Sequence, residues 1–225
     1  INESVTQIAI PSYVTTFKEN AFFLCSTLEE IKIPSNVTLI EKDCFKCCIS
    51  LKKINIPSSV TCIGKGCFRT CISLEEIEIP SSITFIDDFV FFGCVSLKKV
   101  ILPSSITRIG YQSFYKCSSL NDISIISVCS IDEEAFGECE SLNRIELSPS
   151  LNKIEAGVFM LCSNLIEIEF PNSISSIGNG AFDYCILLKK ITIPLSVTKI
   201  PNNAFRNCKS LTEISIHSQV TSIGY

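Results

Sequence analysis

The 225 residues contain no tryptophan, one methionine and one histidine, His217. A lone histidine removes the side chain on which most general acid–base catalysis near neutral pH relies. Charge of neither sign dominates. Nineteen basic and 23 acidic residues leave a net charge of −4, so the chain is no polycation made to hold nucleic acid by its phosphates. Long apolar runs are missing too. The longest aliphatic–aromatic stretches, such as Phe89-Val90-Phe91-Phe92, are far short of the ~20 residues that cross a bilayer, so membrane insertion is not expected. No signal-like segment opens the chain. Aspartate is scarce and scattered, at 43, 87, 88, 122, 132 and 183. That argues against the polysaccharide-acting parallel β-helices, which have rungs of similar length but work with clustered aspartate, basic residues or metal. There is no phosphate loop, and His217 has no nucleophile at a motif spacing. No catalytic, cofactor-binding or metal-binding residue is assigned, and no cofactor is expected.

What is present is apolar and periodic. Hydrophobic residues make up 46% of the chain, which excludes disorder. Phenylalanine recurs at 22, 45, 68, 91, 114, 136, 159, 182 and 205, every 23 residues with one step of 22. Cysteine follows three positions later each time, from Cys25 to Cys208, and leucine three after that, from Leu28 to Leu211. An Ile or Val then falls at 31, 54, 77, 100, 123, 145, 168, 191 and 214. Such units cannot bury their own apolar side and must stack on one another. Leu-x-x-Ile-x-Ile, as in Leu28 to Ile33, ends in period-two alternation and predicts a strand. A proline turn stops it. Val60-Thr61-Cys62-Ile63 and its equivalents predict a second short strand on the opposite wall. Gly64, Gly110, Gly178 and Gly224 are then expected to permit a sharp turn, and Ala-Phe-x-x-Cys to form one helical turn.

The unit Ile-Pro-Ser-Ser-Val-Thr-x-Ile-Gly-x-x-x-Phe-x-x-Cys-x-Ser-Leu-x-x-Ile resembles that of the BspA-like (Treponema pallidum-type) leucine-rich repeats over essentially the whole chain. The resemblance implies an α/β repeat solenoid: a right-handed leucine-rich-repeat horseshoe with a concave parallel sheet, short second strands and single helical turns. It also implies a non-enzymatic adhesion or recognition protein, often displayed on the surface of bacteria and parasitic protozoa. Residues 1–225 are expected to form a single domain of about nine 23-residue repeats, incomplete at both ends. Two departures cluster around the sixth repeat, where a local kink is expected. Ile125-Ile126 replaces Ile-Pro with the next segment one residue short, and Pro149 is displaced by one place.

On each strand three positions point outward. The middle one reads Glu30, Lys53, Glu76, Lys99, Asp122, Arg144, Glu167, Lys190 and Glu213, alternating in sign at every step. With parallel strands ~4.8 Å apart, each charge faces opposite charges above and below. Two readings stand: a self-neutralised solvated face, or a ligand surface. The pattern breaks at Glu146, Glu167 and Glu169 beside the aliphatic Ile166, which makes these four the first candidate for binding a protein ligand of unknown identity. A second candidate lies on the turn side, where Phe23, Ile49, Ile72, Phe92 and Val95 occupy positions that other repeats fill with polar residues. These side chains either form an apolar partner surface or fold against neighbouring turns. With core bared at the two cut ends, they also raise the expectation of a homodimer. The function expected is a protein-recognition or adhesion scaffold; the alternative is a structural, self-associating segment of a larger cell-surface protein.

Fourteen cysteines invite a disulfide or zinc reading. Nine belong to the repeat, and Cys44 and Cys67 take a slot filled elsewhere by alanine, so these eleven read as small buried hydrophobes. Stacked ~4.8 Å apart they are too distant for the ~3.5–4.5 Å between Cβ atoms of a disulfide, and a column of free thiols is expected. Cys47, Cys62 and Cys129 remain as reactive thiols. Cys44-x-x-Cys47-Cys48 lacks the second half of a zinc site. So many unpaired cysteines favour a reducing, cytoplasmic compartment, against the cell surface that the resemblance implies. Asn2 and Asn36 stand in glycosylation sequons.

Overall fold

Along Glu30-Ile31-Lys32-Ile33 apolar and charged residues alternate, so an extended chain sends one set inward and the other outward. In the computed structural model, which describes residues 5–225, Ile31 and Ile33 are buried while Glu30 and Lys32 are exposed. The sequon at Asn2 lies outside the described residues. Repetition of this pattern stacks coils in parallel. The strands Gln7–Ile8, Glu30–Lys32, Lys53–Asn55, Glu76–Glu78, Lys99–Ile101 and Asp122–Ile123 open coils 1 to 6 and form one six-stranded parallel sheet in chain order. Each residue lies opposite the one 23 positions on: Glu30 with Lys53, Lys53 with Glu76, Glu76 with Lys99. A second wall is built of two-residue strands. Thr16–Phe17, Leu39–Ile40 and Cys62–Ile63 form one parallel ladder, and Phe85–Ile86, Arg108–Ile109 and Ser130–Ile131 another.

The strand wall loses continuity where the sequence is irregular. Past Asp122–Ile123 the coils are joined by single bridges, Ile125 to Leu147, Arg144 to Glu167 and Glu167 to Lys190. A regular ladder resumes at Lys190–Thr192 with Glu213–Ser215. Coil 6 is the short one, and Ile126 and Ser148 stand where other coils place proline. Where a local kink was expected, the structure shows an interruption of the hydrogen-bonded ladder.

Between the walls the core is a set of columns. The nine recurring phenylalanines stack ring on ring, with centroids 4.9 Å apart at Phe22–Phe45 and 5.9 Å at Phe136–Phe159. Stacked pairs add about 0.5–1.5 kcal/mol each beyond the burial of their area.

The third side of each coil corrects the helical-turn expectation, and with it the α/β assignment. No helix occurs among the described residues; the fold is a solenoid of parallel strands and turns. Two residues per coil, four apart, hold left-handed backbone conformations: 20 and 24, 43 and 47, 66 and 70, and so on to 203 and 207. Left-handed residues end helices. The cause is hydrogen bonding. A helical turn would spend its N–H groups within the coil. Here Ala21, Phe23 and Cys25 donate to the residue three back, whereas Asn20, Phe22 and Leu24 donate to the carbonyls of Lys42, Cys44 and Lys46 on the next coil. Stacking thus gives these backbone groups partners on the neighbouring coil, where a helix would have turned them along its own axis.

The glycines also act differently from the expectation. Gly64, Gly110, Gly178 and Gly224 are not left-handed. A Cβ on Gly178 would lie 2.3 Å from the backbone nitrogen of Ala156, and one on Gly64 2.6 Å from that of Lys42. Glycine there lets the backbones of adjacent coils touch.

Candidate functional site

The strand wall presents side chains that the core does not need. Its middle column carries the ion pairs Lys53–Glu76 at 2.9 Å, Lys190–Glu213 at 3.2 Å, Arg144–Glu167 at 3.8 Å and Lys99–Asp122 at 3.9 Å. The column beside it adds Lys52–Glu29 and Lys98–Glu75. The hydrogen bond between Lys53 and Glu76 raises the lysine pKa and lowers that of the carboxyl. All these groups are solvated, so each pair contributes little to stability; their arrangement fixes register more than it stabilises.

The predicted acidic group is partly assembled. Glu146, Glu167 and Glu169 line one cleft of about 260 Å³, floored by Ile145, Leu147 and Ile168 and closed by Phe170 and Pro171. Glu167 is held by Arg144. Glu146 and Glu169 form no ion pair among the described residues, and the Arg144–Glu167 register sets them in one column on adjacent coils. Ile166 is exposed but does not line the cleft. Sequence reasoning missed a neighbouring cleft of about 220 Å³ between coils 5 and 6, walled by Leu102, Pro103, Ile125 and Ile126. Ile126 is 55% exposed and Ile101, nearby on coil 5, 47%. The available signal was isoleucine in place of proline at 126.

The turn-side residues divide. The Phe92 ring is half-buried between the Arg69 guanidinium, 4.7 Å away, and the Tyr115 ring, stacked at 5.4 Å. Tyr115 in turn donates its hydroxyl to Glu138, and burial together with that carboxylate pushes its pKa up. Phe23 lies under the Lys46 ammonium, 5.5 Å away. Phe92 thus folds against neighbouring turns. Ile49, Ile72 and Val95 form a strip three coils long, each just under two-fifths exposed.

All fourteen cysteines are free thiols, and the core column has a bonding pattern of its own. Cys48 Sγ–H donates to the carbonyl of Phe22 on the preceding coil at 3.1 Å, and the same bond recurs at every step to Cys208, which donates to Phe182. Burial pushes the thiols of Cys44, Cys48 and Cys94 up to about 12. Cys47 and Cys62 are half-buried and Cys129 is exposed. Among the described residues no group of three His, Cys, Asp or Glu side chains is placed to hold a metal ion. His217 has Nε2 2.8 Å from the carbonyl of Pro194, while its Nδ1 accepts the Gln219 N–H. The Asn36 side chain donates to the carbonyl of Ser12. No helix of the described residues is long and apolar enough to cross a membrane.

No protein of curated function matches the chain. The family described as "BspA type Leucine rich repeat region (6 copies)" matches residues 1–121 and again residues 107–225. Among solved structures, a leucine-rich repeat protein from Bacteroides ovatus is 33% identical over 98% of this chain and 63% of its own, with a TM-score of 0.82. The leucine-rich repeat protein of T. pallidum is 27% identical over 83% of this chain and 79% of its own, with a TM-score of 0.57. One from Eubacterium ventriosum is 27% identical over 80% and 43%, with a TM-score of 0.56. The chain therefore spans less than two thirds of the length of the B. ovatus protein.

Proposed function

The chain belongs to the BspA-type leucine-rich repeat family, and on that premise we propose that it is a non-catalytic scaffold for recognising another protein, displayed at a cell surface. The reading includes the right-handed, horseshoe-shaped path, with the strand wall concave, that the family resemblance implies. The observation that carries it is the division of labour within each coil. The core columns repeat one chemistry from coil to coil. The outer strand column holds Lys32, Asn55, Glu78, Ile101, Ser124, Glu146, Glu169, Thr192 and Ser215 in succession, so the fold leaves its chemistry open. A rigid face with free side chains is what extended protein recognition uses.

The core thiols do not oppose surface display. Oxidation needs an accessible thiolate, and the core thiols are buried, hydrogen-bonded and held protonated. The test is capture from lysate or intact cells on the immobilised chain. Saturable retention of one protein, lost when Glu146, Glu167 and Glu169 are replaced by glutamine and kept when Ile49, Ile72 and Val95 are replaced by serine, supports the reading. Retention of nothing, or loss only with the second set, contradicts it.

A further inference from the structure

On the strand wall charges of like sign are kept apart coil by coil, with one exception. Glu146 and Glu169 follow each other in the outer column, without a cation between them among the described residues. Like charges directly opposite one another on a sheet are destabilising. A cost the core does not require, set where the ladder is interrupted, is where function is to be sought. Two coils away, on the same edge of the wall, lies the apolar cleft of Leu102, Pro103 and Ile126. Ile126 takes the place of the turn proline and leaves more than half of its surface in water. The chain thus offers an apolar seat and an acidic seat along the stacking direction, about 10 Å apart at ~4.8 Å per coil.

Resting on the protein-recognition reading, we propose that this wall docks an extended basic segment of a partner protein. An aliphatic side chain of the segment sits against Ile126, and a lysine or arginine sits between Glu146 and Glu169. Three residues of chain in the extended polyproline II form, at ~3.1 Å each and three to a turn, span the two seats and set both side chains on one face. The partner motif is therefore an aliphatic residue followed three positions later by a basic one. The incoming cation relieves the repulsion between the two carboxylates. Arginine, with its planar fork of donors, can bridge both.

The experiment is fluorescence anisotropy of the whole chain with three labelled heptapeptides: Gly-Leu-Ser-Ser-Arg-Arg-Gly, Gly-Leu-Ser-Ser-Glu-Glu-Gly and Gly-Gly-Ser-Ser-Arg-Arg-Gly. The first is expected to bind at least about tenfold tighter than the other two, a difference of ~1.4 kcal/mol, and to weaken with salt. E146Q/E169Q and Ile126→Ser should each weaken it about tenfold. E29Q/E75Q, the same charge change at paired positions, should leave it within about twofold. All three variants alter exposed side chains, and unchanged melting curves confirm that they fold. Equal binding of the three peptides, no binding, or equal loss with E29Q/E75Q overturns the proposal. If the chain retains a partner in the capture experiment but ignores these peptides, recognition stands and this motif falls.

Discussion

Raising the pH past 9 should unfold this chain. Nine thiols, Cys44, Cys48, Cys67, Cys71, Cys94, Cys117, Cys139, Cys162 and Cys185, are raised far above their ordinary value of 9.0 by burial. In the unfolded chain they ionise near 9; in the folded chain Cys44, Cys48 and Cys94 keep their protons to about 12. The folded state binds more protons above pH 9, so stability is full below that point and falls as the pH rises toward 12. Each thiol costs roughly half a kcal/mol at pH 9 and a little over 1 kcal/mol at pH 10. Nine together cost on the order of 4 kcal/mol at pH 9 and 12 kcal/mol at pH 10, against a total stability of ~5–15 kcal/mol for a typical domain. Urea melts followed by far-ultraviolet circular dichroism, in phosphine reductant from pH 7 to 10, measure this. The slope against pH counts the thiols exposed in the opening unit, and Cys94→Ala should lower that count by one. An unfolding midpoint that stays constant from pH 8 to 10 would refute the buried, protonated column.

Three further outcomes follow from the packing. Phe114→Ala removes a ring from the middle of the stack and should cost about 3–5 kcal/mol in denaturant melts, whereas Lys199→Ala, on the exposed side of a strand, should change stability by less than about 0.5 kcal/mol. Thr70 is a β-branched residue at φ 60°. Thr70→Gly should therefore stabilise by about 0.5–1 kcal/mol, the relief of left-handed strain exceeding the added chain entropy, and a lower melting temperature would count against the left-handed assignment. Glu169→Lys converts a like-charge neighbour into an opposite one and should add about 0.2–1 kcal/mol at low salt, fading as salt is raised.

The columns were legible because a stacked coil repeats its burial. Phe, Cys, Leu and Ile fall at fixed phases, and the register that sets Glu30 beside Lys53 follows from the 23-residue period alone. The turn wall was misread because its inter-coil hydrogen bonds leave no mark in hydrophobic periodicity. A local signal did exist: the first left-handed column holds Asn20, Asp43, Gly66, Gly157, Gly180 and Asn203, the residues that tolerate that conformation best. Phe89, Lys116 and Tyr184 share these columns and hid the signal. Gly64 was assigned a turn when its purpose is backbone contact, because sequence does not distinguish freedom of φ from lack of room for a Cβ. At the site, Glu146 and Glu169 could be read as two carboxylates one period apart in the outer column. The apolar cleft left one mark, isoleucine in place of the turn proline at 126, which shows a departure from the repeat but not the cleft that the neighbouring coil completes.

The strand wall, and not the turn wall, is expected to meet the partner. A photoreactive amino acid placed singly at Ser124, Glu146 or Thr192 on the strand wall, and at Ser118 on the turn side, tests it with lysate or whole cells as the source of partner. One common cross-linked protein is expected from the three strand-wall positions and none from Ser118. A partner captured from Ser118 alone would contradict it.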